Sequence, residues 1–201
     1  LLIYDTTCRR IARYSGAAVL SVDYRRSPEH RFPATYNDGF AALRFLDDPK
    51  NHHPVSLDAA RCFLARDNSG GNIAHHVARH YALCHSSFAT VQLAGVIAIQ
   101  PFFGGEERTP SELWLDGTPV VSMARIDWMG RTFLPPGADR THEAADASIS
   151  SPVAAAGIDS PHFPPVTVFS DAKDLVVDQG HHCRQRCGII FVCPKIWVAT
   201  P

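Results

Sequence analysis

The chain has 201 residues, 45% hydrophobic and 19% charged, with a formal net charge of −1. That is the balance of one globular domain with a sizeable core, and it excludes a disordered or fibrous protein. No run of Lys or Arg offers an electrostatic footprint for nucleic acid or an anionic membrane surface, and apolar runs such as "LAGVIAI" (93–99) fall far short of the roughly 20 residues that span a bilayer. A protein with no nucleic-acid partner and no membrane span is expected. The six cysteines are scattered and none forms C-x-x-C, so reduced thiols and a cytoplasmic location are expected. Because the chain starts at Leu1 and not Met, a leader lost together with the true N-terminus stays open.

In chain order, "DTTCRRIARYSG" opens on Asp5, a capping residue type, places Cys8, Ile11 and Ala12 on one face, and stops at Gly16. It predicts a short helix with a left-handed glycine cap. "AAVLSVDY" (17–24) is apolar with little alternation, as in a strand buried on both faces of a parallel sheet. Pro28 and Pro33 make "RRSPEHRFPA" an ordered loop. "YNDGFAALRFLDD" resumes helical spacing through Phe40, Leu43, Phe45 and Leu46, with Asn37 or Asp38 as cap. Then "RCFLA" reads as a strand, "GGNIAHHVARHYALC" as a helix, and "LAGVIAIQPFF" and "PPVTVFS" as strands. This alternation predicts an α/β fold, a mostly parallel sheet flanked by helices on both faces. Residues 104–164, rich in Pro and without sustained periodicity, predict a lid-like insertion between two sheet strands.

The stretch "FLARDNSGGNIAHHVA" (63–78) carries the chemistry. A buried strand, a tight turn and a helix place the turn residue at the carboxyl edge of the sheet, where α/β folds bind ligands. The nucleophile elbow of serine hydrolases, G-x-S-x-G, is such a turn. Here the serine stands one place late.

Together, "SVDYRRSPEHRFPATYNDGFAALRFL", "CFLARDNSGGNIAHHVA", "QPFFGGEERTPSELWLDG" and "DWMGRTFLPPGADR" resemble the plant carboxylesterases of the hormone-sensitive-lipase branch of α/β-hydrolases. That branch also holds the gibberellin receptors. The resemblance runs over about residues 4–178 and implies a partial α/β-hydrolase domain at 1–178, an insertion at about 104–164, a divergent tail at 179–201, and truncation at both ends. The family elbow reads F-L-A-G-D-S-A-G-G-N. Laid on this chain without a gap, its first glycine falls on Arg66, its nucleophilic serine on Asn68, the next residue on Ser69 and the following small residue on Gly70. Asn tolerates the left-handed backbone of the elbow, but its amide cannot form the acyl intermediate. Losing the serine costs on the order of 10⁶ in kcat. The resemblance gives Ser69 the role of oxyanion-hole N–H donor. A shift by one that made Ser69 the surrogate nucleophile would put Asp67 in a slot that takes a small residue.

The same resemblance places the triad acid at Asp174 in "VTVFSDAKDLVVD", with Asp178 as the second aspartate of the segment; on the residues alone, Asp171 and Asp174 also suit the cap of a turn. The family histidine would fall past Pro201, and His181 and His182 come too early to match it. The cysteine spacing beside them fits no standard zinc site, so no metal and no cofactor are expected. The His-Gly-Gly-Gly oxyanion segment of the branch is absent from the chain. His75 and His76 are expected to be packing or surface histidines, Glu29 and His30 part of a structural loop bracing the sheet edge, and Trp114 and Trp128 core or pocket wall. The functional expectation is a carboxylesterase-type hydrolase by descent, nearly inactive as written, that takes a small-molecule ester or hormone-like ligand. The motifs lean toward the esterases. The alternatives are a gibberellin-receptor-like binding protein and a non-functional fragment.

Overall fold

The computed structural model describes residues 2–51, 57–105, 107–114, 116–117, 122–146, 156–170 and 190–192. Along these run α1 (Leu2–Ser15), α2 (Ala34–Asp47), β1 (Cys62–Asp67), α3 (Ser69–Leu83), β2 (Leu93–Ile99), α4 (Pro110–Trp114), α5 (Met123–Phe133), β3 (Val166–Ser170) and β4 (Ile190–Val192). The strands form one sheet in the order β1-β2-β3-β4, every neighbouring pair parallel. Parallel neighbours require crossovers, and α3 is the crossover between β1 and β2.

Strand parity explains where the core sits. Phe63 pairs with Gly95 and Leu64 with Val96, so Leu64, Val96, Ala98, Val166 and Val168 share one face. That face meets Leu43 of α2 and Ala74, Val77, Ala78 and Tyr81 of α3 in the main hydrophobic cluster. Gly39 lets α2 approach α3, since a Cβ there would lie 2.9 Å from Val77 Cγ2. Truncating a side chain as buried as Leu43 to Ala costs about 2–5 kcal/mol. The opposite face is open in part, with Phe63 54% exposed.

Several expectations need correction. Residues 17–24 form no strand, and Leu20 is 51% exposed. An apolar run becomes a strand only where a neighbouring edge accepts its N–H and C=O groups, and among the described residues β1 is laddered on one side alone, by β2. Helix α2 starts at Ala34, behind Pro33, so Asn37 and Asp38 lie inside it. Asp38 instead accepts Arg25 N–H at 2.8 Å and pairs with the Arg25 guanidinium at 2.7 Å. The insertion contains α5, capped by Ser122, whose hydroxyl accepts from Arg125 N–H. Trp114 and Trp128 are 89% and 56% exposed and so belong to the surface; the residues that anchor their helices inward are Glu112 and Ile126. Residues 190–192 add a parallel strand within the divergent tail.

The insertion is held by charge. Glu112 is fully buried and accepts Thr109 N–H at 2.8 Å. Arg108 pairs with Asp127 at 2.6 Å, and Arg140 bridges Asp127 and Glu112 at 3.3 and 3.4 Å. Removing one member of such a buried set strands the others' charges, which is strongly destabilising. The 25–33 loop braces α5 and not the sheet edge: Arg31 Nη1 donates to the carbonyls of Arg131 and Leu134 at 2.6 and 2.7 Å, and Phe32 N–H to Phe133 O at 2.9 Å.

Candidate active site

The turn between β1 and α3 has the elbow conformation. Asn68 takes φ 47° and ψ −128°, a backbone that non-glycine residues enter rarely and Asn more readily than most. Its N–H donates to Ile99 O at 2.9 Å, and its carbonyl accepts from Gly71 N–H at 2.9 Å and Phe102 N–H at 3.2 Å. Both neighbours of the turn are thereby tied to it. Gly71 is needed for this closeness, because a Cβ there would lie 2.7 Å from Pro101 Cβ.

The Asn68 side chain also engages the residue that follows it. Its Oδ1 accepts the N–H of Ser69 at 2.7 Å and so caps α3. The first N–H groups of a helix have no intrahelical acceptor, and this one is engaged by the side chain directly before it. The Ser69 N–H is therefore already engaged. Ser69 is exposed, and its hydroxyl has no hydrogen-bond partner among the described residues.

Arg66 occupies the small-residue slot without breaking the turn, for a reason visible on the opposite side. A Cβ on Gly70 would lie 2.7 Å from Arg66 Nε, so the missing side chain of Gly70 is the channel through which Arg66 leaves the elbow. Its guanidinium then donates to Tyr24 OH at 2.8 Å and lies 5.2 and 5.1 Å from the ring centroids of Tyr4 and Tyr24. Tyr4 OH donates to Asp67 Oδ2 at 3.4 Å. The Asp67 charge and burial raise the Tyr4 phenol above its ordinary value. This cation–aromatic clip has no precursor in the elbow pattern and sequence reasoning did not find it; the signal available was Arg66 itself, a long cation where the pattern wants glycine.

Neither His75 nor His76 of α3 serves the turn. His75 is buried edge-on to Phe103 and Phe163. His76 stacks on Tyr36 with centroids 4.1 Å apart, and burial, reinforced by the charge of Arg79, pushes its imidazole down to about 3. A base that stays neutral at physiological pH and faces a tyrosine ring has no route to residue 68. Asp174, Asp171, Asp178, His181 and His182 lie outside the described residues, so the structure places Asn68 and Ser69 together and is silent on Asp174. Among the described residues no cluster of three or more His, Cys, Asp or Glu could hold a metal ion, and no helix is long and apolar enough to cross a membrane. An open depression of about 540 Å³ lies near the amino ends of β1 and β2, lined by Asp47, Ala59, Thr90 and Gln92, at the edge of the sheet opposite to the turn. A second, of about 360 Å³, is lined by Tyr24, Arg25, Glu29 and His30 and adjoins the clip through Tyr24.

Residues 2–188 match the family described as alpha/beta hydrolase fold. A gibberellin receptor of Arabidopsis thaliana (GID1B) is 41% identical over 88% of this chain and 47% of its own length. Probable carboxylesterase 6 of the same plant is 40% identical over 70% of this chain and 43% of its own length. The chain spans about half the length of the curated relatives it matches. Among solved structures, an alpha/beta hydrolase enzyme from the metagenome of Lake Arreo, Spain, superposes with a TM-score of 0.77 at 28% identity, covering 94% of this chain and 57% of that one. A Pyrobaculum calidifontis esterase does so with 0.77 at 26%, covering 94% and 60%. A four-stranded parallel sheet, a strained turn ahead of α3 and these likenesses have one common reading: the chain belongs to the alpha/beta-hydrolase fold family, in the branch that holds plant carboxylesterases and gibberellin receptors.

Proposed function

We propose that this chain is a carboxylesterase-type hydrolase by descent that performs no acyl transfer, and that what it keeps of the family's chemistry is the binding of a small ester or hormone-like molecule. The observation that carries this reading is Asn68: an amide stands where the acyl-forming oxygen would be, and its Oδ1 takes the Ser69 N–H at 2.7 Å. One residue thus removes the nucleophile and occupies an oxyanion donor, two contributions that act on the same transition state. Ser69 does not replace the nucleophile, because its hydroxyl meets no base among the described residues and it already begins α3. The test is pre-steady-state hydrolysis of p-nitrophenyl acetate beside an intact plant carboxylesterase. No acylation burst and a turnover lower by a factor on the order of 10⁶ are expected; a burst stoichiometric with protein overturns the proposal.

A receptor-like reading is favoured by one finding, that the gibberellin receptor aligns over 88% of this chain against 70% for the probable carboxylesterase. On that reading the ligand is a gibberellin. Calorimetric titration with a gibberellin decides it: saturable heat with one-to-one stoichiometry supports it, and flat heats at millimolar ligand remove it.

A further inference from the structure

We propose that Asn68 is a self-modification site, an asparagine that the fold prepares to lose its amide nitrogen through a cyclic imide with Ser69. The observation is the backbone of the turn. In an L-residue the Cβ and the following nitrogen eclipse when ψ is close to −120°, the geometry a five-membered imide ring requires. Ordinary helix and strand residues avoid it, whereas Asn68 is held there, at ψ −128°. The side chain is already turned onto the nitrogen in question: Oδ1 lies 2.7 Å from Ser69 N, which keeps Cγ within about 3.9 Å of it.

Three further features act in the same direction. Ser69 N–H has no intrahelical acceptor, so closing the ring breaks no helix hydrogen bond. That nitrogen stands at the positive end of the α3 dipole, which favours the deprotonated amide that must attack. Asn68 and Ser69 are both exposed, so water reaches the ring. In the step, Ser69 N bonds to Asn68 Cγ, the Cγ–Nδ2 bond breaks, and ammonia leaves with the proton given up by the backbone amide. Water then opens the imide at either carbonyl, giving aspartate or isoaspartate. The aspartate product carries its new charge at the helix N-cap, where a carboxylate is favoured, and the centre of the turn changes from neutral to anionic. The same elbow conformation that serves a serine nucleophile makes an asparagine labile.

The proposal does not depend on whether the site binds a ligand. The experiment ages the intact chain at neutral pH, folded and in guanidinium chloride, and maps peptides by mass spectrometry with enzymatic methylation of isoaspartate. Asn37 and Asn72, both inside helices, are the internal references. Expected in the folded sample is conversion of Asn68 at least about tenfold faster than of either reference, with isoaspartate at 68 and a slower rate at 68 in denaturant. A rate at Asn68 no faster folded than unfolded, or conversion without imide or isoaspartate, overturns it. In N68S the ammonia released by the folded chain falls by the share assigned to residue 68; unchanged release also overturns it.

Discussion

The Arg66 guanidinium donates to the Tyr24 hydroxyl at 2.8 Å across 42 residues of chain. With Tyr4 beside it, this contact fastens α1 and the extended stretch after it to the strand that leads into the turn. Because residues 17–24 form no ladder with β1, the clip is a main connection of the first part of the chain to the elbow. Arg66→Ala is expected to cost about 1.5–3.5 kcal/mol, the sum of one hydrogen bond and two cation–π contacts. Amide hydrogen exchange should rise in α1 more than in α3. Equal loosening of both helices, by hydrogen-exchange mass spectrometry, would show that Arg66 acts through the core instead.

A serine placed at residue 68 is expected to remain a weak nucleophile. In Asn68→Ser the Ser69 N–H is released, yet His75 stays wedged between Phe103 and Phe163 and His76 stays on Tyr36. The expected result is labelling by a fluorophosphonate within about tenfold of the parent chain, since an unassisted hydroxyl is a weak nucleophile. Rapid stoichiometric labelling would reveal a base among residues that the structure does not describe.

Asp47 ties the end of α2 to the start of β2. Its carboxylate accepts Val91 N–H at 2.8 Å, Thr90 N–H at 2.7 Å and Ala89 N–H at 2.9 Å. Burial raises its pKa, and these bonds outweigh burial, holding it at about 2 against an ordinary 3.8. A depressed carboxylate contributes stability that is complete above the unfolded pKa and lost as pH falls through the folded one, here between about 4 and 2. Asp47→Ala should lower stability by about 2–3 kcal/mol at neutral pH, and denaturant melts should show this deficit shrinking below pH 4.

His76 governs an earlier acid window. Its pKa is pushed from 6.5 to about 3, first by burial, then by Arg79, His75, His80 and His142. The unfolded chain takes up a proton near pH 6.5 that the folded chain refuses until about 3. Stability is therefore complete above 6.5 and falls across that interval, by at most about 1.4 kcal/mol per pH unit. His76→Phe keeps an aromatic ring against Tyr36 and removes the proton site. Urea midpoints between pH 6.5 and 4 should then fall less steeply than in the parent; an unchanged slope would assign the acid sensitivity to another group.

What local chemistry could specify was determined by the sequence alone. Gly16 ends α1 at φ 68° because only glycine enters that region freely, and the apolar runs at β2 and β3 are strands because a parallel sheet buries them. The tight turn at Asn68 between a strand and a helix was equally legible, being a matter of residue type in one short stretch. Only the tertiary structure decided the rest. Residues 17–24 read as a strand but form no ladder with β1, whose second edge stays unpaired among the described residues, and pairing is a property of two segments. Arg66 is tolerated at the elbow because Gly70 leaves a channel and Tyr24 and Tyr4 wait at its end, three residues that no local pattern connects. Trp114 and Trp128 are apolar by composition and exposed by position, because Glu112 and Ile126 face inward on the same helices. Whether the amide of Asn68 merely fills a turn or occupies its neighbour's N–H was decided by a ψ angle that the sheet and α3 impose together.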